Sequence, residues 1–275
     1  MAKILFDTHA HINSDDITPL EKADWIERIG ASEVAYVVDV AFDMASSRVA
    51  IEDAEKNSWC YAAVGVHPHD SSELTAVGLS ELREMSKHPK VVAIGEIGLD
   101  YYRNLSPVPV QRDAFRKQIR LALELGMPIT IHDRDSKGEA VAILEEEGAF
   151  SDERKSQFPA NPVTGIRDAR VLLHCFSGSG EQAVELAKKG ATISVAGPVT
   201  FKNSKKTRSV ATKVPLEHLV IETDSPYLTP EPHRGTQNLP VYVEFVARKI
   251  AELREISYEE VAAVTLANAK RFYGI

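Results

Sequence analysis

Eight short apolar runs, rich in β-branched residues, recur along this chain with helix-like segments between them. Strands separated by helices cannot pair as hairpins, so the alternation predicts a parallel sheet with helical crossovers. The predicted strands are residues 4–7, 34–40, 61–66, 91–96, 128–132, 171–174, 192–196 and 219–222.

The intervening segments carry apolar residues near positions i, i+3, i+4 and i+7, the pattern of an amphipathic helix. Residues 110–125 are the clearest case, because Phe115, Ile119 and Leu123 stand among charged residues. After the last strand, Ser257 followed by Glu260 predicts a capping box at the start of a final helix. The predicted helices are residues 45–56, 73–87, 110–125, 137–147, 180–189, 204–213, 240–253 and 257–272.

The length and the uninterrupted alternation decide the architecture that we expect. The 275 residues contain no Pro-rich or Gly/Ser-rich linker, so one domain over residues 1–275 is predicted. Eight strand–helix units predict a (β/α)₈ TIM barrel, with a doubly wound open sheet as the alternative. In both, the carboxyl ends of the strands meet at one rim, where catalytic residues are placed.

Net charge and composition limit the classes of binding partner and the cellular compartment that we expect. The net charge of −8 excludes a uniformly positive surface, so a nucleic acid would have to be bound by a local basic patch or by metal ions. The amino terminus has no apolar signal segment, and no run approaches the roughly 18 apolar residues of a membrane span. Cys60 and Cys175 lie in apolar runs and are expected to be buried free thiols. We therefore expect a cytoplasmic protein that does not bind membranes.

The first predicted strand leads directly into His9-Ala10-His11. Strand side chains alternate between the two faces, so these two imidazoles are expected on one face. A single His-x-His is also compatible with an ordinary core or loop histidine. As a pair at a strand end, the two imidazoles are candidate metal ligands.

Other ionisable residues also follow the apolar runs, at positions where an unpaired charge is costly to bury. Taken singly, Glu96 or Asp224 could cap a helix, and His132 could hydrogen-bond a neighbouring strand. Together they predict a site for two divalent ions, with Glu96 as the bridging carboxylate. The candidate ligands are His9, His11, Glu96, His132, His174 and Asp224.

Six stretches extend from the first strand to the last, and five of them carry these ligands: residues 6–11, 65–69, 94–102, 131–134, 173–179 and 221–228, of which 65–69 carries His67 instead. They resemble the motifs of the TatD family of metal-dependent deoxyribonucleases, which are amidohydrolase-like TIM barrels. The resemblance implies hydrolysis of phosphodiester bonds. It also implies that one ion would be held by His9, His11, Glu96 and Asp224, and the other by Glu96, His132 and His174.

The residue types suggest how such a site would act on DNA. Phosphodiester cleavage requires charge neutralisation and an activated water, and we expect Asp224 to accept the proton of that water. The ligand set suits two divalent ions of zinc, manganese or iron, and magnesium would be bound only with retained waters. Contacts mainly with phosphates would leave little sequence preference, and we expect trimming from a strand end.

Four further residues are candidate substrate contacts. His67 could donate to a phosphate oxygen or pack beside Pro68. Arg134 could bind a phosphate, or form a salt bridge with a nearby aspartate. Lys202 lies in the most basic short run, which could equally be a solvated helix start, and Arg234 lies in the loop after the last strand.

Two other functions are compatible with the same residues. The same dinuclear site could hydrolyse an amide, an ester or a lactone, including an aminoacyl ester on tRNA, since it can polarise a carbonyl. A non-catalytic scaffold is the third possibility, although all six ligand positions are filled. Residues 151–165 form an insertion that we expect on the barrel face opposite the site.

Overall fold

The computed structural model describes residues 2–275 and contains one sheet of eight parallel strands in chain order. Every predicted strand is present, and each pairs with the next one along the chain. The strands are β1 (Leu5–Ala10), β2 (Val34–Val40), β3 (Cys60–Val64), β4 (Val91–Asp100), β5 (Ile129–Arg134), β6 (Val171–Leu173), β7 (Thr192–Val195) and β8 (Leu219–Ile221).

Backbone contacts between the end of β1 and the segment after β8 close the sheet. Ala10 forms a parallel bridge with Ser225, and the His11 N–H donates to the Ser225 carbonyl over 2.8 Å. The Asp224 N–H donates to the His9 carbonyl over 2.9 Å. The prediction of a (β/α)₈ barrel is therefore confirmed, and the open-sheet alternative is wrong.

Ten helices surround the barrel in the described part of the chain. They are α1 (Pro19–Ala31), α2 (Met44–Lys56), α3 (Ala76–Met85), α4 (Val108–Leu125), α5 (Glu139–Glu146), α6 (Asp152–Ser156), α7 (Gly180–Lys188), α8 (Lys205–Lys213), α9 (Val243–Arg254) and α10 (Tyr258–Tyr273). None of these helices combines the length and the apolar character that a membrane span requires.

Several helix boundaries differ from the sequence predictions. Helix α1 was not predicted, although Thr18 and Glu21 form a capping box at its start. Helix α3 begins three residues later than expected, because Thr75 caps it through the Gly78 N–H. Ser257 caps α10 by accepting the Glu260 N–H, but the return bond of a capping box is not formed.

Side chains from six strands fill the barrel interior. They belong to one buried cluster, which strands on different sides of a barrel can share only if these side chains point to the axis: Phe6, Val38, Ala63, Ala93, Leu172 and Val220. Phe272 and Tyr273, at the end of α10, belong to the same cluster. The Tyr273 hydroxyl donates to the Thr8 carbonyl over 3.0 Å, which ties α10 to β1.

The insertion at residues 151–165 lies at the amino-terminal end of the barrel. Arg154 of α6 donates to the carbonyls of Met127 and Ala169, which precede β5 and β6. Asn161 donates to the Glu217 carbonyl, just before β8. The insertion is thus on the face opposite the carboxyl ends of the strands, as expected of an αβ connection.

Cys60 and Cys175 are unpaired thiols, as predicted. Cys60 is buried, but Cys175 is only half-buried, because it follows β6 at the rim instead of continuing the strand.

Removing the ring that closes the interior should destabilise the barrel. Phe272 is 1% exposed, so we expect Phe272→Ala to lower the free energy of unfolding by about 3–5 kcal/mol in urea denaturation. The control Val77→Ala truncates a side chain that is 67% exposed and should cost less than about 0.5 kcal/mol. Equal midpoints for the two variants would contradict the role of Phe272 in the core.

Candidate metal centre

Irregularities in β1 and β4 direct the predicted ligands of these strands toward the barrel axis. Phe6 and Ala93 point to the axis, and His9 and Glu96 each follow three residues later, so regular strands would direct them outward. The pairing register shifts between Asp7 and Ala10 in β1 and between Ile94 and Ile97 in β4. Each shift adds one residue, which restores the inward direction.

His174 and Asp224 need no such shift. His174 follows the inward-pointing Leu172 by two residues, and Asp224 follows Val220 by four. Strand alternation therefore directs both side chains inward. Glycine permits the approach of β4 to β5, since a Cβ on Gly98 would lie 1.9 Å from the His132 carbonyl oxygen. The six predicted ligands consequently meet at the carboxyl ends of the strands.

Glu96 lies at the middle of this cluster, with its two carboxylate oxygens facing different imidazoles. Its Oε1 is 2.6 Å from His132 Nδ1 and 2.7 Å from His174 Nε2. Its Oε2 is 3.5 Å from His9 Nε2 and 3.9 Å from His11 Nε2. Each oxygen of this carboxylate thus faces a different pair of imidazoles, and the rings of His9 and His174, one from each pair, stack with centroids 4.0 Å apart.

Asp224 completes the half of the cluster that contains His9 and His11. Its Oδ1 lies 3.4 Å from His11 Nε2 and 3.8 Å from His9 Nε2. Asp224 has a positive φ of 60°, a conformation that is strained for a residue with a Cβ and is common at functional sites. Its backbone hydrogen bond to His9 holds it in this position.

The donor atoms fit divalent cations. Nε2 of His9 and Nε2 of His11 face each other over 3.3 Å, and Nε2 of His174 faces Nδ1 of His132 over 3.4 Å. Two imidazole lone pairs that face each other need a proton or a cation nearby. Within residues 2–275, no lysine or arginine forms an ion pair with Glu96 or Asp224. Mixed imidazole and carboxylate donors are suited to zinc or manganese.

The electrostatics of the cluster also favour positive charge. Burial opposes protonation of His11, but the hydrogen bond to Asp224 and the charges of Asp224 and Glu96 raise the pKa of His11 to about 9. Burial would raise the pKa of Glu96, yet the imidazoles of His174 and His132 hold it well below its usual range. The two carboxylates therefore create a negative potential in a buried space.

Three ligands have a polar partner close to the ring nitrogen that faces away from the cluster. His11 Nδ1 donates to the Val40 carbonyl over 2.7 Å. His174 Nδ1 lies 3.4 Å from the buried carboxylate of Glu222, which also accepts the Cys175 N–H. The hydrogen bond at His11 selects the tautomer that presents Nε2 to a metal, whereas the carboxylate near His174 acts on its ring through charge.

The third of these partners is Asp100, at the end of β4. Its Oδ2 lies 3.4 Å from His132 Nε2 and 2.7 Å from His69 Nε2. Its Oδ1 accepts the N–H groups of Tyr102 and Arg103, which keep the carboxylate in place. Asp100 thus supports the orientation in which His132 Nδ1 faces Glu96.

His67 belongs to the same cluster. Its Nε2 is 3.9 Å from Glu96 Oε1, and its ring centroid is 4.4 Å from that of His132. Burial and the neighbouring His132 hold the pKa of His67 well below its usual value, so the ring is neutral. His67, Glu96 and His132 also form a group with metal-ligand spacing.

The other predicted substrate contacts lie further out. The Arg134 guanidinium stacks 4.2 Å from the Tyr102 ring centroid, and it forms no salt bridge with Asp100 or Asp133 in the described structure. Arg234 is exposed and stacks 4.3 Å from the Phe201 ring centroid, next to the exposed Lys202. Neither Lys202 nor Arg234 is hydrogen-bonded or ion-paired to a predicted ligand in residues 2–275.

Sequence reasoning did not assign the residues that orient the ligands. Glu222 precedes Asp224 by two residues, so strand alternation alone would have placed both on the inner face. Asp100 ends the same strand as Glu96, but its partners His69 and His132 come from other parts of the chain. Only the folded structure brings them together.

Comparisons with known proteins agree with this geometry. Residues 6–274 match the model of the TatD related DNase family. The uncharacterized metal-dependent hydrolase YabD of Bacillus subtilis is 46% identical over 273 residues, which cover 99% of this chain and 100% of YabD. The 3'-5' ssDNA/RNA exonuclease TatD of Citrobacter koseri is 31% identical over 277 residues, which cover 98% of this chain and 99% of that protein.

The solved structure of YJJV, a TatD homologue from Escherichia coli, has a TM-score of 0.85 and 26% identity and covers all of both chains. A parallel barrel with these relatives defines a metal-dependent hydrolase. More specifically, the chain belongs to the TatD family, which confirms the resemblance seen in its motifs.

Altering the support of His132 should weaken metal binding. In Asp100→Asn, the amide oxygen can still accept the two backbone N–H groups, but the amide NH₂ would face the imidazoles in place of an acceptor. We expect about 10–100-fold weaker binding of Zn²⁺ or Mn²⁺, measured by competition with a fluorescent chelator. The exposed Asp113→Asn is the control. Equal affinities in both variants would exclude Asp100 from this role.

Proposed function

We propose that this protein is a two-metal deoxyribonuclease that hydrolyses phosphodiester bonds of DNA, working inward from a strand end. The observation that carries the proposal is the position of Glu96, whose two oxygens face two separate pairs of imidazoles. If two cations bind, Glu96 would hold both of them, and they would supply the charge neutralisation and the activated water that phosphodiester hydrolysis requires.

The distances suggest how the ligands divide. His9, His11 and Asp224 lie on the side of Glu96 Oε2 and would hold one ion. His132 and His174 lie on the side of Oε1 and would hold the other. Ions bound there would supply positive charge for the phosphate and lower the pKa of an attacking water.

Asp224 is the candidate base. Its carboxylate lies at the edge of the cluster, with 14% of the side chain exposed against 4% for Glu96. A proton taken from water by Asp224 can therefore pass on to solvent, whereas one held by Glu96 would stay enclosed. In the proposed step, a proton of the attacking water moves to Asp224 as the water oxygen bonds to phosphorus. The bond between phosphorus and the leaving oxygen breaks, and that oxygen takes a proton from solvent.

DNA is the substrate class that we favour. The family model describes a DNase, and the relative from Citrobacter koseri is named an exonuclease of ssDNA and RNA. His67 Nε2, 3.9 Å from Glu96 Oε1, is the candidate donor to a phosphate held at the cluster. Around the rim, Arg134, Lys202 and Arg234 are exposed cations that can bind neighbouring phosphates despite the acidic total charge.

Loss of the base should abolish DNA cleavage. Protein stripped of metal and dialysed is assayed on end-labelled single-stranded DNA with Mg²⁺, Mn²⁺ or Zn²⁺ added back. We expect metal-restored cleavage with a ladder of products, and a decrease of at least about 100-fold in kcat for Asp224→Asn. Asp152→Asn, on the opposite end of the barrel, is the matched control.

Unaltered turnover in Asp224→Asn would remove Asp224 as the base. Absence of DNA cleavage with every metal would contradict the nuclease assignment. In that case, turnover of ester, lactone or amide substrates by the same preparations would identify the alternative hydrolase.

Removing the charge of the bridging residue should change metal content. We expect the metal-loaded protein to retain two ions per chain after gel filtration and Glu96→Gln to retain one or none, as measured by elemental analysis. Glu252→Gln, on the exposed side of α9, should retain the same number of metal ions as the unaltered protein. Two tightly held ions in Glu96→Gln would contradict the bridging role.

A further inference from the structure

A groove of about 730 Å³ lies next to the metal centre, between the segment that follows β5 and helix α7. We call it the β5–β6 groove. Its floor is formed by Ile131, Val141, Leu173 and Leu186, and Lys137 and Lys206 stand at its border. The groove lies where α5 begins only at Glu139, five residues after β5 ends at Arg134.

The groove and the metal centre share the ends of the same two strands. Ile131 and Leu173 directly precede His132 and His174, so the floor residues face outward where the imidazoles face inward. His174 itself borders the groove. A chain that leaves the metal centre over the ends of β5 and β6 therefore enters the groove directly.

Phe176 supplies an aromatic wall. It is half-buried and packs against the main hydrophobic core, so its ring is held in one place. Gly178 makes this position possible, because a Cβ there would lie 2.6 Å from the Phe176 ring. An aromatic ring beside an apolar floor is a suitable platform for a nucleobase.

The charges around the groove also match a nucleotide. Lys137 and Lys206 are exposed and form no ion pair in the described chain, so both can contact phosphates. By contrast, Lys189 is paired with Glu145 and Glu181 with Lys213. The carboxylates of Asp133 and Asp135 also border the groove. Carboxylates repel a free phosphate but accept hydrogen bonds from the amino groups of bases.

We propose that the β5–β6 groove binds the base of a nucleotide next to the scissile phosphate in single-stranded nucleic acid. This inference rests on the proposed nuclease function, and it adds the requirement that the substrate have an unpaired base beside the cleavage point. A base within a duplex is stacked and paired and cannot enter the groove.

The first test fills the groove and removes the base. The substrates are a single-stranded oligonucleotide and versions of it with one abasic residue at successive positions next to the cleavage point. We expect one abasic position to reduce kcat/KM roughly tenfold for the unaltered protein, as loss of one stacked base would. In Val141→Trp, kcat/KM for the intact oligonucleotide and for the sensitive abasic version should differ by less than about twofold. Val77→Trp, on α3, should retain the full difference.

A second variant covers the case in which the added tryptophan disrupts folding. Phe176→Ala removes the stacking ring without adding volume. It should also reduce the difference in kcat/KM between the intact and the abasic substrate. A full tenfold difference in both folded variants would overturn the groove as the base site while leaving the nuclease function intact.

Binding without turnover separates the two proposals. An oligonucleotide that carries 2-aminopurine at the sensitive position is added to Asp224→Asn protein, and stacking in the groove should quench its fluorescence. Combining Asp224→Asn with Val141→Trp should abolish the quenching, whereas combining it with Val77→Trp should not. This result supports the groove whether or not the unaltered protein cleaves DNA. Equal quenching in both double variants, or none in Asp224→Asn, would overturn it.

Discussion

The carboxylate of Glu96, surrounded by buried imidazoles, is the interaction on which the functional part of this structure depends. Burial of a lone carboxylate is costly, and here His132 and His174 on one side and His9 and His11 on the other offset that cost. The same arrangement gathers donors from β1, β4, β5 and the segment after β6 around one point. Asp224 adds a second negative charge, so the space between these groups favours cations over any neutral occupant.

The barrel places these groups by a combination of closure and local irregularity. The His11–Ser225 and His9–Asp224 backbone hydrogen bonds join the first and last strands, which brings the two ends of the chain to one site. The register shifts in β1 and β4 occur at His9 and Glu96, where they reverse the direction of the side chains. Regular strands in both places would direct these two ligands toward the helices.

A second set of residues holds the ligands in orientation, and the surface beside them suits a polymer. Asp100 and Glu222 lie behind His132 and His174, and the Val40 carbonyl lies behind His11. Outside the same strand ends, the β5–β6 groove has an apolar floor, the ring of Phe176 and two lysines that form no ion pair within residues 2–275. Under the proposed function, phosphate contacts at the centre and base contacts in the groove would together favour single-stranded substrates.

The sequence alone determined the eight strands, the barrel and the six candidate ligands, because apolar periodicity and strand-end polar residues are local patterns. It also carried the family motifs. The capping residues of α1 are local as well, but the helix was not predicted from them. The bulges in β1 and β4 could not be predicted, because strand register depends on the neighbouring strand. Only the tertiary structure brought Asp100 to His132 and left Arg134 stacked on Tyr102 instead of paired with an aspartate. Contacts between residues distant in sequence depend on how the strands are packed, and no local pattern encodes that packing.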